Sequence, residues 1–400
     1  MKNTKSIYLG KTNALFVVYF LLLLVTCSPL ANGNTYRQMQ GIIPYLNLIY
    51  IALGCIMILN KNSIKQALLF FVVIASLLAI SFLNGSSMGS ISALLTLLLG
   101  MYYTSNVSYT HDFLRIFADV GFVYNLIALV KCKSYYQNWD ISQTGINPNL
   151  ISVIVLFFTF IDIIYLQSFY KNNFSLKVII FLYYILAAIC LYMYKSRTCI
   201  AAFALFLIFK YLISSNVWIN TKIVTIFTLI VICLGIFFPV FYISAPASLV
   251  SFVEKITNKP FYSGRNIIWS KFFLALSNPK NLIIGPGSKN QAMFTMLGTK
   301  EFSMHNSYLG IMLNFGLIGI LLTAIVITYH INRMATCGNR KISTDLIIAI
   351  ECILFIGYAE EILVDPYIVM FINIIIGIAV QSDRGMLGSF LHESSSNYVV

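Results

Sequence analysis

The chain has 400 residues, of which 59% are hydrophobic and only 10% charged, with a mean hydropathy of +0.85. Soluble domains carry about a quarter charged residues, so this balance excludes a soluble enzyme, a secreted disulfide scaffold and a disordered tail. The formal net charge of +13 does not point to nucleic acid, because the 26 Lys and Arg are spread through short connections and form no single patch.

Continuous apolar runs without the alternation of barrel strands predict an all-α integral membrane protein. Hydropathy places twelve spans at about 13–31, 42–59, 66–83, 89–104, 113–131, 149–167, 177–194, 198–215, 222–243, 306–329, 345–363 and 366–381, each near the ~20 residues that cross a bilayer. The first run follows Lys2, Lys5 and Lys11 and precedes small residues around Pro29 to Gly33, as a signal peptide does. Its apolar stretch is long enough to span, and it is read as an uncleaved helix. The organisation is therefore transmembrane helices 1–9 over 1–243, a long periplasmic loop with short amphipathic helices over 244–305, helices 10–12 over 306–381, and a polar cytoplasmic tail over 382–400. No internal repeat of the kind seen in many transporters is present.

Orientation follows from the short loops. With a cytoplasmic N-terminus, fourteen Lys and Arg, among them Lys61, Lys171, Lys177, Lys210, Lys222, Arg340 and Lys341, fall inside. Only Arg37, Lys131, Lys133, Lys195 and Arg197 fall in short outer loops. Both termini are then cytoplasmic and the long loop faces outward. The eight Cys are scattered, with no CxxC or Cys/His spacing, and read as small core residues.

Several polar groups need a reason. Lys195 and Arg197 occupy a tight connection at the outer surface, against the positive-inside trend. They either snorkel toward headgroups or present a forked guanidinium to a phosphate. In the long loop, Ser263-Gly264-Arg265 opens a short amphipathic helix that Pro279 stops, with Ser263 or Gly264 as its cap. Ile268, Phe272, Ala275 and Leu276 recur at helical spacing, while Arg265 and Trp269 share a neighbouring stripe. Trp269 is expected at headgroup depth, and Arg265 beside a lipid-linked phosphate. Gly285-Pro286-Gly287-Ser288 is a turn that can bring backbone N–H groups to an anion.

Met304-His305-Asn306-Ser307-Tyr308 lies at the outer mouth of span ten. The positive end of a helix dipole disfavours imidazolium, so His305 is expected to be neutral and able to accept a proton. Gly145-Ile146-Asn147-Pro148-Asn149 combines a turn with two amides that can bind sugar hydroxyls, and Asn149 is the expected cap of span six. Glu360, Glu361 and Asp365 collect on the same outer face, as counter-ions of the cations or as sugar ligands. Asp119 and Asp162 are read as structural, Arg115 standing one turn from Asp119.

Ser196-Arg197 opening a span, Gly264-Arg265-x-x-x-Trp269 and Gly285-x-Gly287 in the long loop, then His305-Asn306-Ser307-Tyr308-Leu309 with Gly316-Leu317-Ile318-Gly319, resemble the O-antigen ligase and polymerase family. Asn147-Pro148-Asn149 before a span is also similar. The motifs run from about 145 to 320, and the twelve-span layout extends the resemblance to the whole chain. One departure is the absence of an Arg shortly before Asn147, where Asp140 and Gln143 stand instead.

The resemblance implies a metal-independent, inverting glycosyltransferase without a cofactor, acting on undecaprenyl-diphosphate-linked oligosaccharide at the periplasmic face of the bacterial inner membrane. Within the family, the features look more like a polymerase of surface polysaccharide repeat units than a ligase to lipid A core. His305, Arg265 and Arg197 are then the catalytic candidates. Lys195, Asn147, Asn149, Trp269, Gly285, Gly287, Asn306, Tyr308, Glu360 and Glu361 are the candidate substrate-binding residues. The lipid bilayer and a chain-length regulator are the implied partners. A lipid-linked oligosaccharide flippase is the alternative from another class. It would place charge at a central cavity, whereas here the notable polar residues gather at one surface.

Overall fold

The computed structural model describes residues 64–107, 109, 111–137, 147–170, 173–257, 260–288, 303–337, 340–365 and 368–381, with scattered helical positions between 42 and 56. The first expected span, half of the second, Asp140, Gln143, Gly145 and Ile146, and the tail from Ser382 lie outside the described residues.

Among the described residues every regular element is a helix. In chain order these are α1 (Ile64–Asn84), α2 (Met88–Thr104), α3 (His111–Gln137), α4 (Pro148–Phe169), α5 (Phe174–Met193), α6 (Arg197–Leu212), α7 (Ser215–Trp218) and α8 (Thr221–Ile243). Three shorter helices follow, α9 (Ala247–Thr257), α10 (Arg265–Ala275) and α11 (Pro279–Ile284), and then α12 (Ser307–Cys337), α13 (Arg340–Ile356) and α14 (Ile368–Gln381). Expected spans three to twelve fall on α1 to α6, α8 and α12 to α14. The eleventh is displaced: α13 begins at Arg340 and stops at Ile356, ahead of the expected 363. At Gly357 a Cβ would meet Leu354 O at 2.9 Å and the Ser307 side chain at 3.2 Å, so the chain turns there and leaves residues 357–365 as a connection.

Among the described residues five helices are long and apolar enough to cross a membrane by length and composition: Phe113–Lys131, Pro148–Ser168, Phe174–Met193, Thr221–Ile243 and Ser307–Thr336. Phe71–Asn84, Met88–Thr104 and Ile368–Gln381 are shorter apolar helices. Every residue of α14 is buried, as is nearly all of α13. A helix apolar on all sides belongs at the centre of a bundle, and α14 packs there against α2, α4, α12 and α13. Around it, α5 and α8 turn Phe181, Leu182, Tyr192, Phe237 and Phe241 outward, each more than half exposed. A soluble protein does not leave so much contiguous apolar surface uncovered; this is the architecture of a helical membrane protein.

Two helices are broken, and both breaks are repaired from elsewhere in the chain. Pro239 inside α8 has no N–H for the carbonyl of Gly235, four residues earlier. The side-chain amide of Asn306 donates to that carbonyl instead, at 3.0 Å. In α12, Gly316 adopts φ 59° and ψ −156°, outside the helical region, which frees the carbonyls of the preceding turn. Gly287 N–H donates to Leu313 O at 2.8 Å, while Asn84 Nδ2 and Ser86 Oγ each stand 2.7 Å from Asn314 O. An unsatisfied carbonyl in a low-dielectric interior costs several kcal/mol, so these contacts hold the irregular backbone in place.

Candidate functional site

Helices α4, α6, α10 and α12 all begin at one end of the bundle. Asn147 caps α4, its side chain accepting from Asn149 N–H at 2.9 Å, with Pro148 at the first helical position. The cap is therefore Asn147 and not Asn149 as expected. Freed from capping, Asn149 donates from Nδ2 to Glu360 Oε1 at 2.7 Å.

The same Glu360 oxygen accepts from Arg265 Nη2 at 3.1 Å, with the two side chains only 14% and 11% exposed. Arg265 is the first residue of α10, behind Gly264 at φ 80°. Ser263, the other expected cap, donates to Pro260 O at 3.0 Å. Arg197 is the first residue of α6, behind Lys195 at φ 53°, and its Nη2 donates to Pro260 O at 3.3 Å. Both guanidinium groups act electrostatically on the Tyr242 hydroxyl at the end of α8. The two arginines thus stand at one locus, together with four helix N-termini whose dipoles favour an anion.

His305 is half-buried, two residues ahead of α12, at φ 47°. A left-handed conformation in a non-glycine residue persists only where its neighbours over-determine it. Here Met304 O accepts from Trp269 Nε1 at 2.6 Å, Met304 N–H donates to Glu361 Oε1, and His305 N–H donates to Ser303 Oγ at 3.3 Å. Burial, and then the charge of Arg265, lower the His305 pKa to about 4, so the ring is neutral at pH 7. Desolvation and a nearby cation thus act in the same direction as the helix dipole expected from sequence. Burial also pushes the Glu361 carboxyl up to about 7, with Glu360 and Asp365 adding to the rise against hydrogen bonds from Met304 N–H and the Ser303 hydroxyl. Glu360 and Glu361 differ accordingly: the first holds a cation, the second holds the backbone that shapes His305.

Other expected ligands are occupied by scaffold contacts. Trp269 is fully buried within the protein, packed on Tyr242 and bonded to Met304. Asn306 caps α12 by accepting from Leu309 N–H at 2.8 Å and donates to Gly235 O and Tyr358 O. Tyr308 is buried, its hydroxyl donates to Leu354 O at 2.9 Å, and its ring lies where a Cβ on Gly235 would be, at 2.2 Å. The Gly285–Gly287 turn does not offer amides to an anion. Gly285 N–H donates to Asn281 O and Gly287 N–H to Leu313 O, because this turn packs on the α12 break. Asp365 caps α14, accepting from Ile368 N–H at 3.1 Å. Ser307, which carried no assigned role, ties the site together. Its N–H donates to Gly357 O, its hydroxyl lies 2.7 Å from Glu360 O, and it accepts from Leu363 N–H.

Asp119 pairs with Arg115 at 3.9 Å on an exposed face. Asp162 is buried with neither carboxylate oxygen hydrogen-bonded among the described residues, which nothing in the structure explains. Among the described residues no group of three His, Cys, Asp or Glu is placed to hold a metal ion.

Sequence reasoning missed Tyr242, Pro260 and Asn84. Only Asn84 carried a signal, as an amide closing an apolar run before Gly85. Comparison of the chain with family models, with curated proteins and with solved structures finds no match.

Proposed function

We propose that this chain is a membrane-embedded glycosyltransferase, a polymerase that extends a surface polysaccharide by moving the growing glycan from its undecaprenyl diphosphate carrier to the next lipid-linked repeat unit. The observation that carries this reading is the Arg265–Glu360–Asn149 contact, with neutral His305 and Arg197 at the same end of an apolar bundle. The reading takes twelve spans, both termini in the cytoplasm, and this end at the periplasmic face of the bacterial inner membrane.

A diphosphate leaving group needs cations that hold it more tightly as charge develops during bond cleavage. Arg265 is desolvated and already holds a carboxylate, the chemistry that a phosphate oxygen reproduces. The diphosphate takes the place of Glu360 on Arg265, and Arg197 approaches from α6. The hydroxyl of the acceptor sugar attacks the anomeric carbon opposite the diphosphate. A new C–O bond forms, the bond to the diphosphate breaks with its electron pair, and the hydroxyl proton passes to His305. Binding of the dianion beside Arg265 cancels the field that depresses His305, so the ring becomes a stronger base when its substrate is present. General-base assistance of this kind is worth about 10² to 10⁴ in rate. The lipid tail lies along the apolar outer faces of the bundle, and a chain-length regulator is the protein partner that fits the reading.

The test is the surface-glycan profile of a strain lacking this gene, beside its lipid-linked intermediates, with complementation by the wild type, Arg265→Ala and His305→Ala. Lipid A core bearing one repeat unit and no ladder is expected from the deletion and from both variants at normal protein levels. Full-length polymer stranded on undecaprenyl diphosphate would overturn the reading in favour of a ligase. Single units trapped on the cytoplasmic leaflet would overturn it in favour of a flippase.

A further inference from the structure

The opposite end of the bundle carries a second concentration of basic side chains that the proposed reaction does not use. A cavity of about 680 Å³ lies between the start of α5, the end of α6 and the start of α13. A second, of about 380 Å³, shares Gln167, Tyr211 and Lys341 with it, so the two form one groove. Its walls are of two kinds. Leu176, Ile180, Phe181 and Leu207 line the part that faces outward, and Phe181 is 62% exposed, so this part opens sideways onto the apolar surface of α5 and α6. Lys177, Lys210, Arg340 and Lys341 line the other part, against a single carboxylate, Asp345.

That carboxylate is engaged. Lys210 Nζ lies 2.6 Å from Asp345 Oδ2 and 2.8 Å from Gln167 Oε1, with both charged side chains nearly buried. The remaining three cations are exposed, and among the described residues no other carboxylate lines the groove. Arg340 reaches Asn216 on α7, and Lys341 Nζ donates to Gln167 O at 3.0 Å, so both are placed at the rim of the groove. Seven residues beyond Lys177 on the same face of α5, roughly 10 Å along the axis, the Tyr184 hydroxyl meets that of Tyr211 at 2.9 Å. Ile180 and Phe181 lie between Lys177 and Tyr184 on α5, so the cation rim gives directly onto an apolar flank, the order of a phospholipid's phosphate and acyl regions.

We propose that this groove binds one anionic glycerophospholipid of the surrounding leaflet, its phosphate on Lys177, Arg340 and Lys341 and an acyl chain along Ile180, Phe181 and Leu207. Basic pockets between helices at a membrane surface select anionic headgroups in this way. The site rests on the membrane character of the chain and not on its reaction, so it stands or falls apart from the polymerase reading.

The experiment uses the full chain purified in mild detergent, with phosphatidylglycerol or phosphatidylcholine added and lipid retention read by native mass spectrometry. One tightly retained phosphatidylglycerol per chain is expected, in preference to phosphatidylcholine. Lys177→Gln alone, at an exposed position that leaves folding intact, should weaken retention about fivefold. The triple variant K177Q/R340Q/K341Q should weaken it about a hundredfold. A matched triple variant at the other end, K255Q/K271Q/K280Q, should retain the lipid as the wild type does. Equal retention of the two lipids, unchanged retention in the first triple variant, or equal loss in the matched one would overturn the proposal. So would displacement of the lipid by millimolar inorganic phosphate, which would make the groove a site for a free anion.

Discussion

Arg265 and His305 stand out because each is held in a state that its surroundings, and not its residue type, determine. Arg265 is paired with Glu360 where both are largely shielded from water, so losing one partner strands the other's charge. Arg197 bonds only a backbone carbonyl among its described contacts, so its fork is available to a phosphate. Arg197→Lys keeps the charge and loses the fork. A shortened or absent glycan ladder is expected from it, and full activity would assign Arg197 to simple headgroup anchoring.

The two buried titratable groups beside Met304 predict opposing pH dependences. The folded pKa of His305, about 4, lies below its ordinary 6.5. Between those values the unfolded chain holds the extra proton, so stability falls as pH drops. The folded pKa of Glu361, about 7, lies above its ordinary 4.5, so there the folded chain holds the proton and stability falls as pH rises. The wild-type melting temperature in detergent should therefore change little between pH 4.5 and 6.5. His305→Gln should leave a melting temperature that declines with rising pH, and Glu361→Gln one that declines with falling pH. Profiles of the same slope in both variants would show that the two groups do not titrate as their surroundings imply.

At the scale of elements, the breaks in α8 and α12 explain why the motif residues are where they are. Sequence reading identified the helices because apolar composition is local; their caps, Asn147 before α4, Asn173 before α5 and Asn220 before α8, are set by the side chains that reach the first free N–H groups. It assigned Gly285 and Gly287 to anion binding because a glycine turn looks the same whether its amides face a ligand or a neighbouring helix. The structure gives them to α12. A Cβ on Gly287 would lie 2.0 Å from Asn84 O at a φ of 83°, and Gly316 is as tightly placed against Ile283 O, at 2.3 Å. Gly287→Ala should prevent the turn from docking and lower the melting temperature in detergent sharply. Asn84→Ala removes the side-chain donor of Ile284 O and one of the two on Asn314 O, which keeps Ser86 Oγ, and should cost about 1–3 kcal/mol for the Ile284 carbonyl left unsatisfied. A melting temperature unchanged in Asn84→Ala would show that water or another donor reaches that carbonyl.

Across the whole molecule, alternating helix directions separate the two sets of cations. Lys195, Arg197 and Arg265 lie at the end where α6, α10 and α12 begin, and Lys177, Lys210, Arg340 and Lys341 at the other. This separation is what the loop charges imply for a chain crossing a membrane with its N-terminus inside. It predicts that a cysteine placed at Lys280 reacts with a membrane-impermeant maleimide in spheroplasts, while one at Lys341 reacts only after the membrane is opened. The reverse pattern would invert the topology.

Composition and hydropathy by themselves determined that the chain is built of apolar helices, placed most of those the structure describes, and picked out the few polar residues that break the pattern, because each of these is written in the identity of neighbouring residues. Only the tertiary structure decided which of those polar residues remain available for chemistry. Asn306 is consumed by a carbonyl that Pro239 releases 71 residues away, and Gly287 by one that Gly316 releases. Arg265 finds its carboxylate 95 residues on. A backbone carbonyl set free at a helix break has no signature in the residue that carries it, so its claim on a distant side chain becomes legible only when the helices are packed.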